Sequence, residues 1–128
     1  MMWTYVIAFT EDLEKFMMVR SRKRGGWEMP GGRANEGETP LVTSKREFLE
    51  ETGHELISND DWSMPIGTGG HVHFGFIGSG NPSRRSMQEI LDVSLFEDLP
   101  SELAYPSVEY SPLVIFGRRL LSSDITLS

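Results

Sequence analysis

The 128-residue sequence contains no cysteine and no long apolar run. Without cysteine the chain can have no thiolate nucleophile, no cysteine-bound iron–sulfur cluster and no disulfide, and this composition is typical of the reducing cytoplasm, where we expect the protein. Every apolar stretch falls well short of the roughly 20 residues that span a bilayer, so we predict no membrane association. The first residues also lack the basic start and the apolar core of a signal peptide.

Basic residues are in deficit relative to acidic ones. Lys and Arg number 12 against 19 Asp and Glu, and the formal net charge of −7 offers no broad footprint for nucleic acid, so we do not expect stable nucleic-acid binding. Four basic residues are nevertheless concentrated before a glycine-rich segment: Arg20, Arg22, Lys23 and Arg24. Of these, Arg22, Lys23 and Arg24 are candidates for binding a polyphosphate. Their charges are equally typical of a soluble loop tip.

The pattern of apolar residues predicts a single α/β domain over residues 1–128. Trp3 to Phe9 and Lys15 to Val19 are apolar runs that flank a polar loop, which predicts two antiparallel neighbouring strands. Three further strands are predicted at Met64 to Thr68, at His71 to Ile77 and in the run between Glu89 and Phe96. A terminal helix is predicted at Ser111 to Leu121, where Pro112 would lie in the first turn. Residues 78–86 have the composition of a flexible loop. Strands that alternate with two helices indicate a mixed sheet between helices.

The segment from Gly31 to His54 contains the most informative pattern, a helix with opposite apolar and acidic faces. The helix is predicted over Leu41 to Thr52, after Pro40. Gly53 follows at the position where a helix end favours a residue in the left-handed conformation. At about 100° per residue, the face predicted to pack consists of Leu41, Val42, Phe48, Leu49 and Thr52.

Three glutamates, Glu47, Glu50 and Glu51, occupy the opposite face of this helix. At spacings i, i+3 and i+4 their charges repel, and each close pair costs a few tenths of a kcal/mol on an exposed helix. A divalent cation such as Mg²⁺ or Mn²⁺ would make their proximity favourable, because hard ions take oxygen ligands. The glutamates alone are also compatible with a solvated face that binds nothing. The surrounding pattern decides in favour of a metal site.

That pattern consists of Gly32, five residues, Glu38, seven residues and then REFLEETG from Arg46 to Gly53. It resembles the signature of the Nudix hydrolases, and the WEMPGG sequence that begins at Trp27 extends the resemblance upstream. One position departs from the signature, because the family usually has an aliphatic residue where this chain has His54. We expect this departure to change the packing at the helix exit slightly.

The resemblance implies an α/β/α sandwich with a mixed sheet. It also implies a metal-dependent pyrophosphohydrolase that acts on a nucleoside diphosphate-linked substrate. In this implied site Glu47, Glu50 and Glu51 hold Mg²⁺ or Mn²⁺. A backbone carbonyl of Gly31 or Gly32 adds a further ligand.

The resemblance also implies roles for residues around the metal. One of three carboxylates, Glu50, Glu51 or Glu89, would orient or deprotonate the water that attacks the substrate. Glu89 is included because an acidic residue before a strand that ends in phenylalanine and an E-x-L-P turn is similar to a late segment of the family. Glu38 and Arg46 are expected to pair and to brace the loop against the helix.

The substrate is less well defined. The short chain and the sequence around the basic cluster are most similar to the MutT-type branch, which converts nucleoside triphosphates, including oxidised ones such as 8-oxo-dGTP, to monophosphate and pyrophosphate. ADP-ribose, a dinucleoside polyphosphate and the 5′ end of RNA stay open as alternatives, as does a non-catalytic module that senses a nucleotide. We expect a monomer or a homodimer.

Three further side chains have two interpretations each. Trp27 could stack on a base beside the phosphate loop, or it could lie in the core at a strand end. His71 and His73 share one face of a predicted strand, as zinc ligands could. No third ligand has a convincing spacing, so we interpret both as ordinary strand residues.

Overall fold

The computed structural model describes the backbone of residues 1–127 and the side chains of residues 1–124. In this part of the chain the strands are β1 Trp3–Phe9, β2 Phe16–Ser21, β3 Trp27–Glu28, β4 Gly31–Arg33, β5 His54–Ile57, β6 Ser63–Ile66, β7 Gly70–Gly80 and β8 Ile90–Phe96. The helices are α1 Pro40–Thr52 and α2 Ser107–Leu127, with a short 3₁₀ turn at Pro82–Arg84. Among these described elements, neither α-helix combines the length and the apolar composition that crossing a bilayer requires.

The strands form one mixed sheet around β1. Its main order is β3-β2-β1-β7-β5, with β4 pairing to β1, β6 to β7 and β8 to β2. β1 and β7 are parallel and pair residue by residue from Trp3 with Gly70 to Phe9 with Phe76. The other strand pairs are antiparallel, including β1 with β2. The predicted mixed sheet and the predicted antiparallel neighbours are both confirmed.

Apolar side chains leave the central strand in both directions and pack under a helix on each face. Ile7 belongs to a core cluster that includes Tyr110 of α2. Its neighbour Val6 belongs to a second cluster that includes Phe48 of α1. Because successive residues of a strand point to opposite faces, the sheet lies between the two helices. This arrangement is the predicted α/β/α sandwich.

The packing face of α1 differs from the prediction. Val42 and Leu49, which the helical periodicity places on the packing face, are 50% and 49% exposed. The buried residues of α1 are mostly polar: Thr43, Ser44, Phe48, Glu51 and Thr52. Polar side chains occupy this interface because they have hydrogen-bond partners there, as Ser44 has in His73. The periodicity of apolar residues carries no information on such partners, so the predicted packing face of α1 is rotated about the helix axis relative to the observed one.

The ends of α1 lie at Pro40 and Gly53, which the sequence predicts as its limits, and a cap that was not predicted completes the N-terminus. Thr39 caps the N-terminus, where its hydroxyl accepts a hydrogen bond from the Val42 N–H at 3.3 Å, and Pro40 occupies the first turn. Gly53 ends the helix in the left-handed conformation with φ 78°, and its N–H donates to the Leu49 carbonyl at 2.9 Å. The helix therefore starts one residue before the predicted start and ends where predicted.

Several other boundaries differ from the predicted ones. The sequence does not predict β3, β4 or β5, because segments of two to four residues are too short to show a period. β7 continues to Gly80, three residues into the predicted loop. α2 begins at Ser107, so Pro112 lies inside the helix and not in its first turn. Pro112 cannot donate to the carbonyl of Val108, but Val108 is 74% exposed, so water can replace that bond.

A buried contact between Ser44 and His73 joins α1 to the sheet. Ser44 Oγ lies 2.8 Å from His73 Nδ1, and the two residues are 0% and 1% exposed. Burial lowers the pKa of His73 below its ordinary value of about 6.5, with the nearby His71 contributing in the same direction and Asp60 opposing it. His73 is therefore a core residue that is neutral in the folded chain at neutral pH.

We predict that stability falls as pH falls below about 6.5 and that His73 accounts for part of this loss. The folded chain binds fewer protons than the unfolded chain between the lowered pKa and the ordinary one, so the free energy of unfolding decreases with decreasing pH in that window. Urea unfolding between pH 7 and pH 5 should show a smaller pH dependence for His73→Gln than for wild type. His54→Gln is the control, because His54 is not among the groups that shift the pKa of His73, and it should reduce the pH dependence less than His73→Gln does. Equal pH dependence in wild type and His73→Gln would contradict the assignment.

Candidate functional site

Arg46 fastens the loop before α1 to the helix. Its guanidinium donates from Nε and Nη2 to both oxygens of Glu38, at 2.7 and 2.9 Å, and from Nη2 to the Arg33 carbonyl at 3.0 Å. Glu38 also accepts from the Asn35 N–H at 2.7 Å and from the Thr43 hydroxyl at 3.1 Å. These bonds, with Arg46 the largest contributor, lower the pKa of Glu38 to about 2. The pairing and bracing expected for Glu38 and Arg46 thus have a direct geometric counterpart.

The same guanidinium reaches two of the helix glutamates. Arg46 Nη1 lies 2.9 Å from an oxygen of Glu47 and 3.3 Å from an oxygen of Glu50. The Glu47 side chain is 15% exposed, whereas that of Glu50 is 52% exposed. Arg46 therefore offsets the repulsion between carboxylates that the helical spacing brings together.

Glu51 is a buried carboxyl at the contact between α1 and β4. It is 8% exposed, and its Oε1 accepts a hydrogen bond from the Gly31 N–H at 2.8 Å. Burial raises the pKa of Glu51 to about 8 against the effect of that bond, and the charges of Glu47, Glu28 and Glu89 raise it further. Without a cation, Glu51 is thus mostly protonated at neutral pH.

Gly32 leaves the space that the Glu47 carboxylate occupies. A Cβ at Gly32 would lie 2.7 Å from the carboxylate carbon of Glu47. Burial raises the pKa of Glu47, although its contact with Arg46 opposes the shift. Thr4 pairs with Gly32 in the sheet, so the Thr4 side chain lies on the face of the sheet that the Glu47 carboxylate contacts at Gly32. The buried Oγ1 of Thr4 has no hydrogen-bond partner within the described residues. An unsatisfied hydroxyl and desolvated carboxylates thus lie together.

The donor set matches a hard divalent cation in chemistry. Its groups are carboxylate, hydroxyl and carbonyl oxygens, which Mg²⁺ and Mn²⁺ prefer. A cation would also favour the charged forms of Glu47 and Glu51, which burial disfavours. Within the described residues, no three acidic or histidine side chains already converge as metal ligands. Arg46 instead holds Glu47 and Glu50, so a cation would compete with Arg46 for these oxygens.

The loop that carries Glu89 is tied to the C-terminal end of α1. The Ser86 N–H donates to the Glu50 carbonyl at 2.7 Å, and the Asn81 N–H donates to the Gly53 carbonyl at 3.1 Å. Glu89 is exposed, and its charge contributes to the raised pKa of both Glu47 and Glu51. The loop therefore places Glu89 on the side of the helix that carries the other glutamates.

A cavity of about 600 Å³ adjoins these carboxylates. Gly31 and Gly32 belong both to its lining and to the contacts of Glu51 and Glu47. Its aromatic wall is formed by Trp3, Tyr5 and Tyr105, and its basic side chains are Lys23, Arg24 and Arg33. A cavity that combines aromatic rings with cations beside carboxylates can take a base and phosphates together.

Two of the predicted substrate residues line this cavity and two lie elsewhere. Lys23 and Arg24 are in the lining. Among the described residues of the chain, Arg22 and Trp27 do not contribute to it. Arg22 donates from Nε to the Met87 carbonyl at 3.1 Å. Trp27 packs edge-on against Phe96 with ring centroids 5.0 Å apart, as the core interpretation expects.

Sequence reasoning identified only some of the cavity residues, and Glu28, Tyr5 and Tyr105 are among those it did not identify. Glu28 stands within the WEMPGG sequence, where its position next to the glycine loop could have marked it. Tyr105 has no local signal, because it reaches the cavity through long-range backbone bonds. The Trp27 N–H donates to the Glu102 carbonyl at 2.7 Å, and the Ala104 N–H donates to the Trp27 carbonyl at 2.9 Å.

Comparison with known sequences identifies the family pattern over most of the chain. A family model described as the NUDIX domain matches residues 3–106. The putative nudix hydrolase 6 of Caenorhabditis elegans is 32% identical over 66 residues, which are 52% of this chain and 25% of that protein. The chain thus aligns with only a quarter of that relative's length.

Solved structures share the fold at low sequence identity. A UDP-X diphosphatase matches with a TM-score of 0.66 and 22% identity, over 92% of this chain and 62% of that one. An ADP-ribose pyrophosphatase from Streptococcus suis has a TM-score of 0.66 and 21% identity, over 92% and 91% of the two chains. A C. elegans Ap4A hydrolase has a TM-score of 0.69 and 17% identity, over 94% and 98%. At such identities the likeness shows the fold.

We predict that Glu47→Gln lowers the pKa of Glu51 because it removes a like charge from a desolvated carboxyl. The pKa should stay above the ordinary value, because burial, its largest cause, is unchanged. Titration of the glutamate side-chain carboxyl ¹³C signals by NMR, without divalent cations, measures both values. Glu14→Gln changes an exposed residue of the β1–β2 loop and should leave the Glu51 titration unaltered. A Glu51 that titrates at its ordinary value in wild type would refute the burial argument.

Proposed function

Because the chain belongs to the NUDIX family, we propose that it hydrolyses a diphosphate bond in a nucleoside diphosphate-linked substrate with the help of Mg²⁺ or Mn²⁺. One observation carries this proposal. Gly31 and Gly32 connect an oxygen-only carboxylate site to a cavity with aromatic walls and basic side chains. A nucleotide needs these two surroundings side by side, one for its phosphates and one for its nucleoside.

Hydrolysis of a diphosphate builds negative charge on oxygens that are already charged, so the site must supply positive charge and a positioned water. A bound divalent cation supplies Lewis acidity and lowers the pKa of water. Glu47, Glu50 and Glu51 would hold it, with a carbonyl of Gly31 or Gly32. The chain itself orients these groups, because β4 and α1 are joined by the bond from the Gly31 N–H to Glu51.

Three carboxylates are candidates for orienting or deprotonating the water: Glu50, Glu51 and Glu89. Glu51 is neutral at pH 7 in the free chain because its pKa is raised to about 8, so it can act as a base only after a cation has restored its charge. Glu50 has a side chain that is 52% exposed, which gives water access to its carboxylate. We therefore assign the first test to Glu50.

We propose a nucleoside triphosphate as the substrate, cleaved to monophosphate and pyrophosphate as in the MutT-type branch. Lys23 and Arg24 in the cavity support this choice, since a triphosphate carries several charges to bind. A dinucleoside polyphosphate is the second candidate. Its support is that Tyr105 adds a third ring to Trp3 and Tyr5 in the cavity wall, which offers stacking surface for more than one base.

Glu50→Gln should abolish turnover without unfolding the protein, since it removes a charge from a largely exposed position. The assay is release of pyrophosphate or phosphate from nucleoside triphosphates, 8-oxo-dGTP, ADP-ribose, dinucleoside polyphosphates and triphosphorylated RNA, with Mg²⁺ or Mn²⁺. EDTA should stop wild-type turnover. Glu14→Gln is the control and should remain active, and circular dichroism checks the fold of each variant.

The outcomes separate the alternatives. A much higher kcat/KM for one triphosphate would support the proposed substrate. Preference for a dinucleotide or for ADP-ribose would keep the mechanism and replace the substrate. A fully active Glu50→Gln would remove Glu50 from the mechanism. Nucleotide binding by calorimetry without any product would favour a sensor over an enzyme.

A further inference from the structure

The cavity wall contains an ion pair whose acid is buried. Arg24 donates from Nε to Glu28 Oε2 and from Nη2 to Glu28 Oε1, both at 2.7 Å. The Glu28 side chain is 7% exposed and that of Arg24 is 40% exposed. Desolvating a carboxylate costs as much as the pairing returns, so a buried pair of this kind adds little net stability. Its presence beside the candidate site calls for another explanation.

The turn between β2 and β3 places Arg24 next to Glu28. The Arg24 N–H donates to the Ser21 hydroxyl at 3.1 Å, and the Gly25 N–H donates to the Ser21 carbonyl at 2.9 Å. β2 and β3 are antiparallel, with Val19 opposite Glu28. The turn therefore folds Arg24 back over the carboxylate that follows it by four residues. The bidentate contact then fixes the plane of the guanidinium.

The pair lies between the aromatic wall and the buried carboxylates. Arg24 and Glu28 both line the cavity, together with Tyr5 and Gly31. The charge of Glu28 contributes to the raised pKa of Tyr5 on one side and of Glu51 on the other. A nucleotide whose nucleoside enters the cavity and whose phosphates reach Glu51 therefore comes close to this pair.

Arg24 has further N–H donors that could bind the phosphates of such a ligand. A guanidinium carries five N–H donors, and the contact with Glu28 uses two of them. Lys23 of the basic cluster also lines the cavity, whereas the two other arginines are placed differently. Arg22 donates to a backbone carbonyl outside the cavity lining, and Arg20 pairs with the largely exposed Glu102. Arg24 is the member that a buried acid holds in the cavity wall.

We propose that Glu28 is a positioning residue that holds Arg24 where its guanidinium binds the substrate phosphate next to the nucleoside. This inference rests on the proposed function. Glu28 acts through Arg24 and does not itself touch the substrate. The consequence is a division of labour along the phosphate chain, with Arg24 at the nucleoside end and the glutamates of α1 at the bond that is cleaved.

Steady-state kinetics of variants tests the proposal on the best substrate of the panel. Arg24→Gln should raise KM by about ten- to hundredfold, because a charge-assisted hydrogen bond is lost, with little change in kcat. Glu28→Gln should raise KM less, since the guanidinium is kept but no longer held. The double variant should resemble Arg24→Gln alone, because Glu28 acts only through Arg24. Arg24→Lys should recover part of the loss. Arg119→Gln, an exposed residue of α2 with the same charge change, should match wild type.

Three outcomes would overturn the proposal. Lower melting temperatures with unchanged KM in Arg24→Gln and Glu28→Gln would leave the pair a purely structural contact. A loss of kcat in Glu28→Gln together with a higher Mg²⁺ requirement would make Glu28 a ligand of the cation. Additive effects of the two substitutions on KM would show that Glu28 acts independently of Arg24.

A binding experiment keeps the inference separate from the proposed function. ATP is titrated by calorimetry into each folded variant without a divalent cation. Weaker binding to Arg24→Gln and Glu28→Gln than to Arg119→Gln supports the role of the pair even if wild type hydrolyses nothing in the panel. Equal binding by all three variants refutes it even if wild type is an active enzyme. Arg24→Lys, the mildest change, replaces any variant that circular dichroism finds unfolded.

Discussion

The bidentate contact between Arg46 and Glu38 is the interaction on which the candidate site most depends. It closes the loop that separates β4 from α1, and the same guanidinium contacts Glu47 and Glu50. The same side chain therefore closes the loop before α1 and holds the carboxylates of Glu47 and Glu50. The closure acts together with the packing of Phe48 in the core and the bond from the Gly31 N–H to Glu51, which also hold α1 against the sheet.

Two glutamates, Glu28 and Glu51, are buried beside the cavity, and they differ in how their charge is compensated. Glu28 has a full counter-charge in Arg24. Glu51, within the described residues, has a hydrogen bond from the Gly31 N–H and no ion pair, and burial raises its pKa to about 8. The chain thus compensates one carboxylate internally and leaves the other in need of a cation. This asymmetry supports the proposed roles, in which Glu28 organises the cavity while Glu51 takes part in the metal site.

The sequence predicts the features of this protein that depend on local signals. The end of α1 at Gly53, the strands with clear apolar runs, the mixed sheet and the glutamate pattern are of this kind. The predicted packing face of α1 was right for Phe48 and Thr52, which are buried, and wrong for Val42 and Leu49, which are exposed. Ser44 is buried instead, against His73, a polar partner that lies far away in the chain. Tyr105 was not predicted as a cavity residue for a related reason, since backbone hydrogen bonds to Trp27 bring its loop to the cavity. Local patterns carry no information on such contacts.

The central position of β1 has a consequence for how the chain folds as it is synthesised. β1 is made well before its parallel partner β7, which begins at Gly70, and before α2, whose Tyr110 belongs to the cluster on one face of β1. Contacts of such long sequence separation form slowly, because a large loop must close first. Until α2 emerges from the ribosome, the nascent chain exposes an apolar sheet surface. Exposed apolar surface of this kind is prone to aggregation, so this protein is most vulnerable before α2 has packed against the sheet.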